Sequence, residues 1–121
     1  MLFASFIMLL TSSALANHHH LDENRILTVG VLTLPTSQSN LPFMDGYSHY
    51  ISEMVDIFLR AGGLSPVAIP FNSSDSDLYS LLGKVNGVFF TGGSLDLFDP
   101  VTKKLHPYTD TALKILNYAI N

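Results

Sequence analysis

The sequence has no cysteine and no tryptophan, and it has few positively charged residues. Without cysteine, these 121 residues cannot form a disulfide, a thiolate metal site or a cysteine nucleophile. Six lysines and arginines against ten acidic residues give a net charge of −4 with no basic run, so we expect no nucleic-acid partner. The composition, 47% hydrophobic and 13% charged, is typical of one small globular domain.

The amino terminus differs in composition from the rest of the chain. Residues 1–10 are almost wholly apolar, and Ala14 and Ala16 supply small side chains where signal peptidase cleaves. We predict a signal peptide over residues 1–16 and a flexible mature terminus over 17–25, whose histidines 18–20 form a solvated tail. A short anchor or a buried helix is the alternative. The run is too short to span a bilayer permanently, so we expect no membrane association beyond secretion.

Residues 26–34 are nearly continuous in apolar and β-branched side chains, which predicts a central parallel strand ended by Pro35. Gly30 inside this strand indicates close packing of a neighbour. The next apolar residues recur at helical spacing and predict a helix that ends at Gly62 and packs its whole apolar stripe into the core. That stripe consists of Tyr47, Tyr50, Ile51, Met54, Val55, Phe58 and Leu59. His49 beside it is interpreted as a partly exposed surface histidine rather than a catalytic base.

The pattern then repeats. Residues 66–70 form a short apolar segment with a proline at each end and predict a second strand. Ser74, with Asp77 three positions later, resembles a capping box and predicts a short helix. Residues 87–90 predict a third buried strand, and Pro107 is placed as the first residue of a last helix. Asn72 begins an Asn-Ser-Ser sequon, so we predict N-glycosylation there.

Strands that alternate with helices predict an α/β fold with three layers, in which a mostly parallel sheet carries helices on both faces. Ligands of such sheets bind beyond the carboxyl ends of the strands. Two segments fall there: the polar loop over residues 35–46, and Gly92, Gly93 and Ser94 after the third strand. Glycines can present bare backbone N–H groups to a developing oxyanion, or they can simply form a turn. The residues alone leave both readings open.

The chain also resembles the amino-terminal part of the gamma-glutamyl hydrolases, which belong to the class I glutamine amidotransferase-like group. The likeness runs in order from residue 26 to residue 121. It includes the first strand, the helix that ends Arg60-Ala61-Gly62-Gly63, and the second strand. Its most specific part is Val85-Asn86-Gly87-Val88-Phe89-Phe90-Thr91-Gly92-Gly93-Ser94-Leu95-Asp96. Thr91 stands where family members usually have proline.

The resemblance implies a secreted, lysosomal or vacuolar hydrolase that uses a cysteine nucleophile and a histidine to cleave γ-glutamyl bonds of folate and antifolate poly-γ-glutamates. It implies no cofactor, a flavodoxin-like strand order, and homodimers in full-length members. It assigns Gly92 and Gly93, with Ser94 adjacent, to the oxyanion environment. No catalytic residue is carried over, because the family's cysteine elbow and its histidine have no counterpart here.

We therefore expect residues 26–121 to be the amino-terminal part of an incomplete hydrolase domain, and this chain alone to be catalytically inactive. The alternative is a complete, non-catalytic α/β binding module that has lost the catalytic half. A continuing reading frame with a Gly-x-Cys-x-Gly elbow beyond Asn121 would favour the first interpretation, and a stop codon the second.

Overall fold

A computed structural model describes residues 8–10, 26–36, 46–91 and 95–121 of the chain. The strands are β1 (Met8–Leu10), β2 (Leu27–Leu32), β3 (Leu34–Pro35), β4 (His49–Tyr50), β5 (Leu64–Ile69) and β6 (Gly87–Phe90). The helices are α1 (Glu53–Ala61), α2 (Asp75–Leu82) and α3 (Pro107–Ile120). None of the helices within these ranges is long and apolar enough to cross a membrane.

The main sheet has the strand order β1-β6-β2-β5. β2 pairs in parallel with β5 on one side and with β6 on the other, while β1 runs antiparallel along the outer edge of β6. Each parallel connection passes through a helix, as a parallel sheet requires. This arrangement confirms the predicted α/β fold. Met8–Leu10 lie inside the segment predicted to be a signal peptide, whose removal stays a prediction.

Side chains alternate between the two faces of the sheet, and each face has its own core. Val29, Val31 and Phe89 pack with Leu59 of α1 on one face. Leu32, Ile69 and Val88 pack on the other face with buried residues of α2 and α3. Because neighbouring residues of a strand point to opposite faces, a continuous apolar run serves both cores, which is why residues 26–34 read as a central strand.

The predicted first helix is wrong at its amino-terminal end. α1 begins at Glu53, whereas His49–Tyr50 form β4, which pairs antiparallel with β3. Three members of the predicted core stripe are also mostly exposed, Tyr47 at 68%, Met54 at 76% and Phe58 at 62%. Within α1 only Leu59 is fully buried. The helical spacing therefore identified the helix but overestimated how much of its apolar face is covered.

Two strand boundaries also differ from the prediction. Pro35 does not simply end the first strand, because Leu34–Pro35 continue as β3 and pair with β4. Pro66 does not begin β5 but lies inside it, opposite Val29 of β2. Proline cannot donate to a sheet ladder, but β5 is the last strand of the described sheet and pairs only with β2. An edge position tolerates such a residue, since one side of the strand needs no donor.

The remaining helix starts are confirmed. The Ser74 hydroxyl accepts a hydrogen bond from the backbone N–H of Asp77 at 3.2 Å and donates one to its carboxylate at 2.7 Å. Pro107 is the first residue of α3, as predicted. Lys114 of α3 makes ion pairs with Asp75 at the start of α2 and with Asp110, at 2.7 and 2.9 Å. The two helices are thereby joined across one face of the sheet.

Candidate functional site

The strand order places a topological switch point between β2 and β6. From β2 the chain passes through α1 to β5 on one side of β2, and then through α2 to β6 on the other side. The direction of connection therefore reverses between β2 and β6. In open parallel sheets such a switch point is where ligands bind. Both predicted site segments, the 35–46 loop and the glycine turn at 92–94, are connected to strands that end here.

Two buried threonines fix the chain where it leaves β5. The hydroxyl of Thr33, directly after β2, accepts a hydrogen bond from the backbone N–H of Phe71 at 3.1 Å. The hydroxyl of Thr111 on α3 donates to the Phe71 carbonyl at 2.6 Å. Thr33 and Thr111 are 1% and 4% exposed, so these bonds do not compete with bulk water. The backbone of Phe71 is consequently held from both sides at the carboxyl edge of the sheet.

Two histidine rings pack against the ring of Phe71. His49 meets it edge-on, with centroids 6.5 Å apart, and His106 stacks on it at 6.1 Å. His49 Nδ1 lies 2.8 Å from the hydroxyl of Ser48. His106 Nδ1 accepts the backbone N–H of Tyr108 at 3.1 Å, so the side chain caps α3. Acceptance at Nδ1 leaves Nε2 as the protonated nitrogen of neutral His106.

Tyr108 joins α3 to the end of β6. Its phenol hydroxyl donates to the backbone carbonyl of Thr91 at 3.3 Å. Burial raises the pKa of Tyr108 above the usual tyrosine value, and the hydrogen bond to Thr91 opposes part of that rise. The phenol therefore stays protonated and able to donate at any physiological pH. Since Thr91 is the residue directly before Gly92, this bond fixes one end of the predicted glycine turn.

We call His49, Phe71, Thr91, His106 and Tyr108 the carboxyl-edge cluster. Two buried hydroxyl oxygens, Thr91 Oγ1 and Thr109 Oγ1, have no hydrogen-bond partner among the described residues. A buried polar atom left unpaired costs about 1–3 kcal/mol, so native proteins rarely keep one without a reason. No group of three or more metal-ligating side chains occurs among the residues that the structure describes. The cluster thus offers polar groups, aromatic faces and unused hydrogen-bonding capacity.

The predicted site residues fall partly outside these ranges. Gly92, Gly93 and Ser94 lie outside the described residues, as do histidines 18–20 and loop residues 37–45. Their assigned roles stay predictions. Asn72 is described: it is exposed in the turn between β5 and α2, and its glycosylation also stays a prediction. His49 is partly buried against Phe71, so it belongs to the carboxyl-edge cluster.

Sequence reasoning missed Phe71, His106 and Tyr108. One signal was present for His106: a residue before a helix-initiating proline stands at the N-cap, where a polar side chain is expected. Phe71 and His106 are 35 positions apart in the sequence, and only the return of the chain to one sheet edge brings them together. No spacing rule connects them.

The alternation of strands and helices and the strand order define an α/β protein of the doubly wound class, with its candidate site at the switch point. A family model, Peptidase C26, matches residues 28–112, and the chain belongs to that family. Peptidase C26 comprises cysteine peptidases of the class I glutamine amidotransferase-like group, so the predicted family resemblance is confirmed at that level. Searches of curated proteins and of solved structures find no match.

Proposed function

We propose that the protein is a folate poly-γ-glutamate hydrolase of the secretory pathway. In this proposal Gly92, Gly93 and Ser94, which follow β6 in the sequence, contribute to substrate binding. The observation that carries this proposal is the family match over residues 28–112, which includes the motif at residues 85–96. Membership of Peptidase C26 supports a hydrolase of the γ-glutamyl peptidase kind. The folate substrate is supported by the resemblance of the 85–96 motif to gamma-glutamyl hydrolases.

In the proposed reaction a thiolate attacks the γ-carbonyl carbon and a histidine moves the proton to the leaving amine. The carbonyl oxygen gains negative charge, and backbone N–H groups of Gly92 and Gly93 would stabilise it. The Tyr108–Thr91 hydrogen bond supports this role, because it holds the residue before Gly92. The 121 residues include no cysteine, so the nucleophile has to be supplied by sequence outside them.

A chimera tests the proposal. Residues 28–112 replace the corresponding segment of a Peptidase C26 enzyme with established γ-glutamyl hydrolase activity, and glutamate release from folate pentaglutamate is followed by chromatography. We expect release by the chimera and none by the 121-residue chain alone. A chimera that melts cooperatively but releases no glutamate, or that cleaves only α-linked peptides, would contradict the proposal.

Proline and alanine substitutions in the chimera test the glycine turn. Gly92→Pro or Gly93→Pro removes one N–H donor, whereas the matched alanine variants keep it. Losing one oxyanion donor typically lowers kcat by about 10²–10³. We expect that loss for at least one of the two proline variants, with smaller effects for both alanine variants. Equal losses in the proline and alanine variants would indicate a packing role for the turn instead.

Secretion is supported by the apolar leader and by the exposure of Asn72. Expressed in eukaryotic cells, the protein should begin at Asn17 and lose mass when treated with an N-glycosidase, and Asn72→Gln should abolish that loss. Removal of residues 1–16 would also remove β1 from the edge of β6. An intact Met1 on the exported or retained protein would contradict the leader assignment.

A further inference from the structure

The segment between the glycine turn and α3 folds as a hairpin over residues 97–106. At its base the backbone N–H of His106 donates to the Leu97 carbonyl at 3.0 Å, and Phe98 and Leu105 form an antiparallel bridge. At its tip Lys103 has φ 57°, the only positive φ of a non-glycine residue within the described ranges. Such left-handed backbone is uncommon for a side chain like lysine, and it is often associated with function.

The acidic group of the hairpin is used internally. One carboxylate oxygen of Asp99 accepts the backbone N–H groups of Val101 and Thr102 and the hydroxyl of Thr102, at 3.0, 2.6 and 2.9 Å. The bonds from Thr102 are the main reason that the pKa of Asp99 is lowered, and His106 adds a smaller effect. These contacts order the tip of the hairpin and occupy one oxygen of the Asp99 carboxylate.

The lysines of the hairpin, in contrast, have no carboxylate partner among the residues that the structure describes. Among the described residues Arg60 and Lys114 are ion-paired, whereas Lys84, Lys103 and Lys104 are not. Lys84 lies between α2 and the amino end of β6, at the opposite edge of the sheet. Of the unpaired lysines in the described part of the chain, the two that lie toward the carboxyl edge are therefore both on the hairpin. Of the acidic residues nearest in sequence, Asp110 is paired with Lys114, and Asp96 is exposed at the base of the hairpin.

The base of the hairpin is attached to the carboxyl-edge cluster. His106, its last residue, stacks on Phe71 at 6.1 Å. Two residues later, Tyr108 bonds to Thr91 at the end of β6. The carboxyl end of the hairpin is thus attached to the carboxyl-edge cluster, and Lys103 and Lys104 precede His106 by three and two residues.

We propose that Lys103 and Lys104 bind the free α-carboxylates of a γ-linked glutamate chain and determine specificity for polyanionic substrates. This inference rests on the proposed function. Each γ-linked residue keeps a free α-carboxylate. Such carboxylates have pKa values near about 3.5, so they are negatively charged at neutral pH, where lysine side chains are positively charged. Free glutamate has a single α-carboxylate, whereas a γ-linked chain of several residues has one on each residue and can contact both lysines.

The test uses tetra-γ-glutamate without a pteridine as the probe, and glutamate as the short control. Binding to the 121-residue chain is measured by NMR titration at low and at physiological salt. An exposed ion pair between a lysine and a carboxylate contributes modestly to the free energy of binding. Loss of one lysine should therefore weaken binding about two- to fivefold. We expect Lys103→Gln with Lys104→Gln to weaken tetra-γ-glutamate binding by about tenfold and to reduce its salt dependence. Lys84→Gln, at the opposite edge, should change neither quantity.

Lys103→Gly separates charge from backbone geometry. Glycine adopts positive φ without a side-chain penalty, so this variant should melt at a temperature equal to or above that of the wild type. Its affinity for tetra-γ-glutamate should nevertheless fall as in Lys103→Gln. Unchanged affinity in Lys103→Gly would contradict a role for the charge.

The remaining outcomes each overturn the inference in a distinguishable way. If the double glutamine variant binds tetra-γ-glutamate like the wild type, the lysines are not the contacts, while glutamate release by the chimera still supports the proposed function. If the wild type does not bind the probe, the inference fails, and the chimera decides the function separately. Loss of binding to phosphatidylserine vesicles without any change in probe affinity would assign the hairpin, with its exposed Phe98 and Val101, to a membrane surface instead.

Discussion

Replacing Gly30 with alanine tests how the central strand accommodates its neighbours. Gly30 is buried in β2, on the sheet face that packs against α2 and α3. A Cβ atom there would lie 2.4 Å from Cδ1 and 3.1 Å from Cγ1 of Ile69, and 3.6 Å from Val85. The first distance is about 1 Å shorter than the optimal carbon–carbon separation. Rotation of the Ile69 side chain about χ2 could move Cδ1 but not Cγ1.

The size of the effect follows from the burial of Ile69, which is 0% exposed. Its side chain has no free volume to move into, and overpacking of this kind typically costs about 1–3 kcal/mol. Alanine offsets about 0.5–1 kcal/mol of this cost in the free energy of unfolding, because it restricts the unfolded chain more than glycine does. Together these two effects span about 0–2.5 kcal/mol. Because rotation about χ2 cannot relieve the contact with Cγ1, we expect Gly30→Ala to lower the free energy of unfolding by about 1–2 kcal/mol within that range. For a domain of this size that corresponds to a melting temperature lower by about 4–16 °C.

Urea unfolding followed by circular dichroism measures the change, with Gly83→Ala as a matched control. A Cβ at Gly83 would be no closer than 3.6 Å to any neighbour, and Gly83 has φ −68°, so alanine fits there. This control should be neutral or stabilising by about 0.4–1 kcal/mol. Ile69→Val removes the Cδ1 methyl group and alone should cost about 0.5–1.5 kcal/mol. Combined with Gly30→Ala it should cost less than the sum, by at least about 0.5 kcal/mol.

Two results would refute this reasoning. Gly30→Ala with the stability of the wild type would mean that the strands separate easily at this point. Strict additivity of the Gly30 and Ile69 substitutions would mean that the cost of alanine arises from a contact other than Ile69.

Three further predictions follow from single contacts. Thr111→Val should lower the free energy of unfolding in urea by about 1–3 kcal/mol, because the partly buried Phe71 carbonyl loses its 2.6 Å donor, and Thr111→Ser should restore most of that stability. Ser74→Ala removes the side-chain cap of α2 and should lower the free energy of unfolding by about 1 kcal/mol, whereas Ser74→Gly should lower it by less. The folded pKa of Asp99 lies below the unfolded value near 3.9, so its contribution to stability is complete above that pH and is lost as pH falls through the folded pKa. In an NMR titration Thr102→Val should raise that pKa, and an unchanged value would contradict the assignment.

Local rules predicted those parts of the fold in which sequence and tertiary structure agree. Gly30 was expected to mark close packing, and its neighbour Ile69 leaves no room for a side chain. Ser74 and Pro107 mark helix starts because capping and a fixed φ act on adjacent backbone. Such effects depend on a few successive residues, so the sequence alone shows them.

Tertiary contacts decided the features that the sequence did not reveal. His49 and Tyr50 fit the helical spacing, but pairing with Leu34–Pro35 draws them into a strand. Pro66 would interrupt a central strand, and only its place at an edge makes it acceptable. The carboxyl-edge cluster combines residues from four separate parts of the chain, so it could be found only after the strand order was known. The strand order, in turn, shows that β2 and β6 run in parallel and end at the same edge of the sheet, and the location of the site there stays a prediction.

The single fully buried residue of α1 has a consequence for how the domain opens. The two cores lie on opposite faces of the sheet. α1 contributes one fully buried side chain, Leu59, with Val55 partly buried beside it, whereas α2 and α3 share a core and are also joined by Lys114. Regions with few buried contacts open with a lower free energy than the global unfolding. The amide hydrogens of α1 should therefore exchange with solvent while those of β2 and α3 remain protected. The face that carries α1 would be the first to become accessible to a protease.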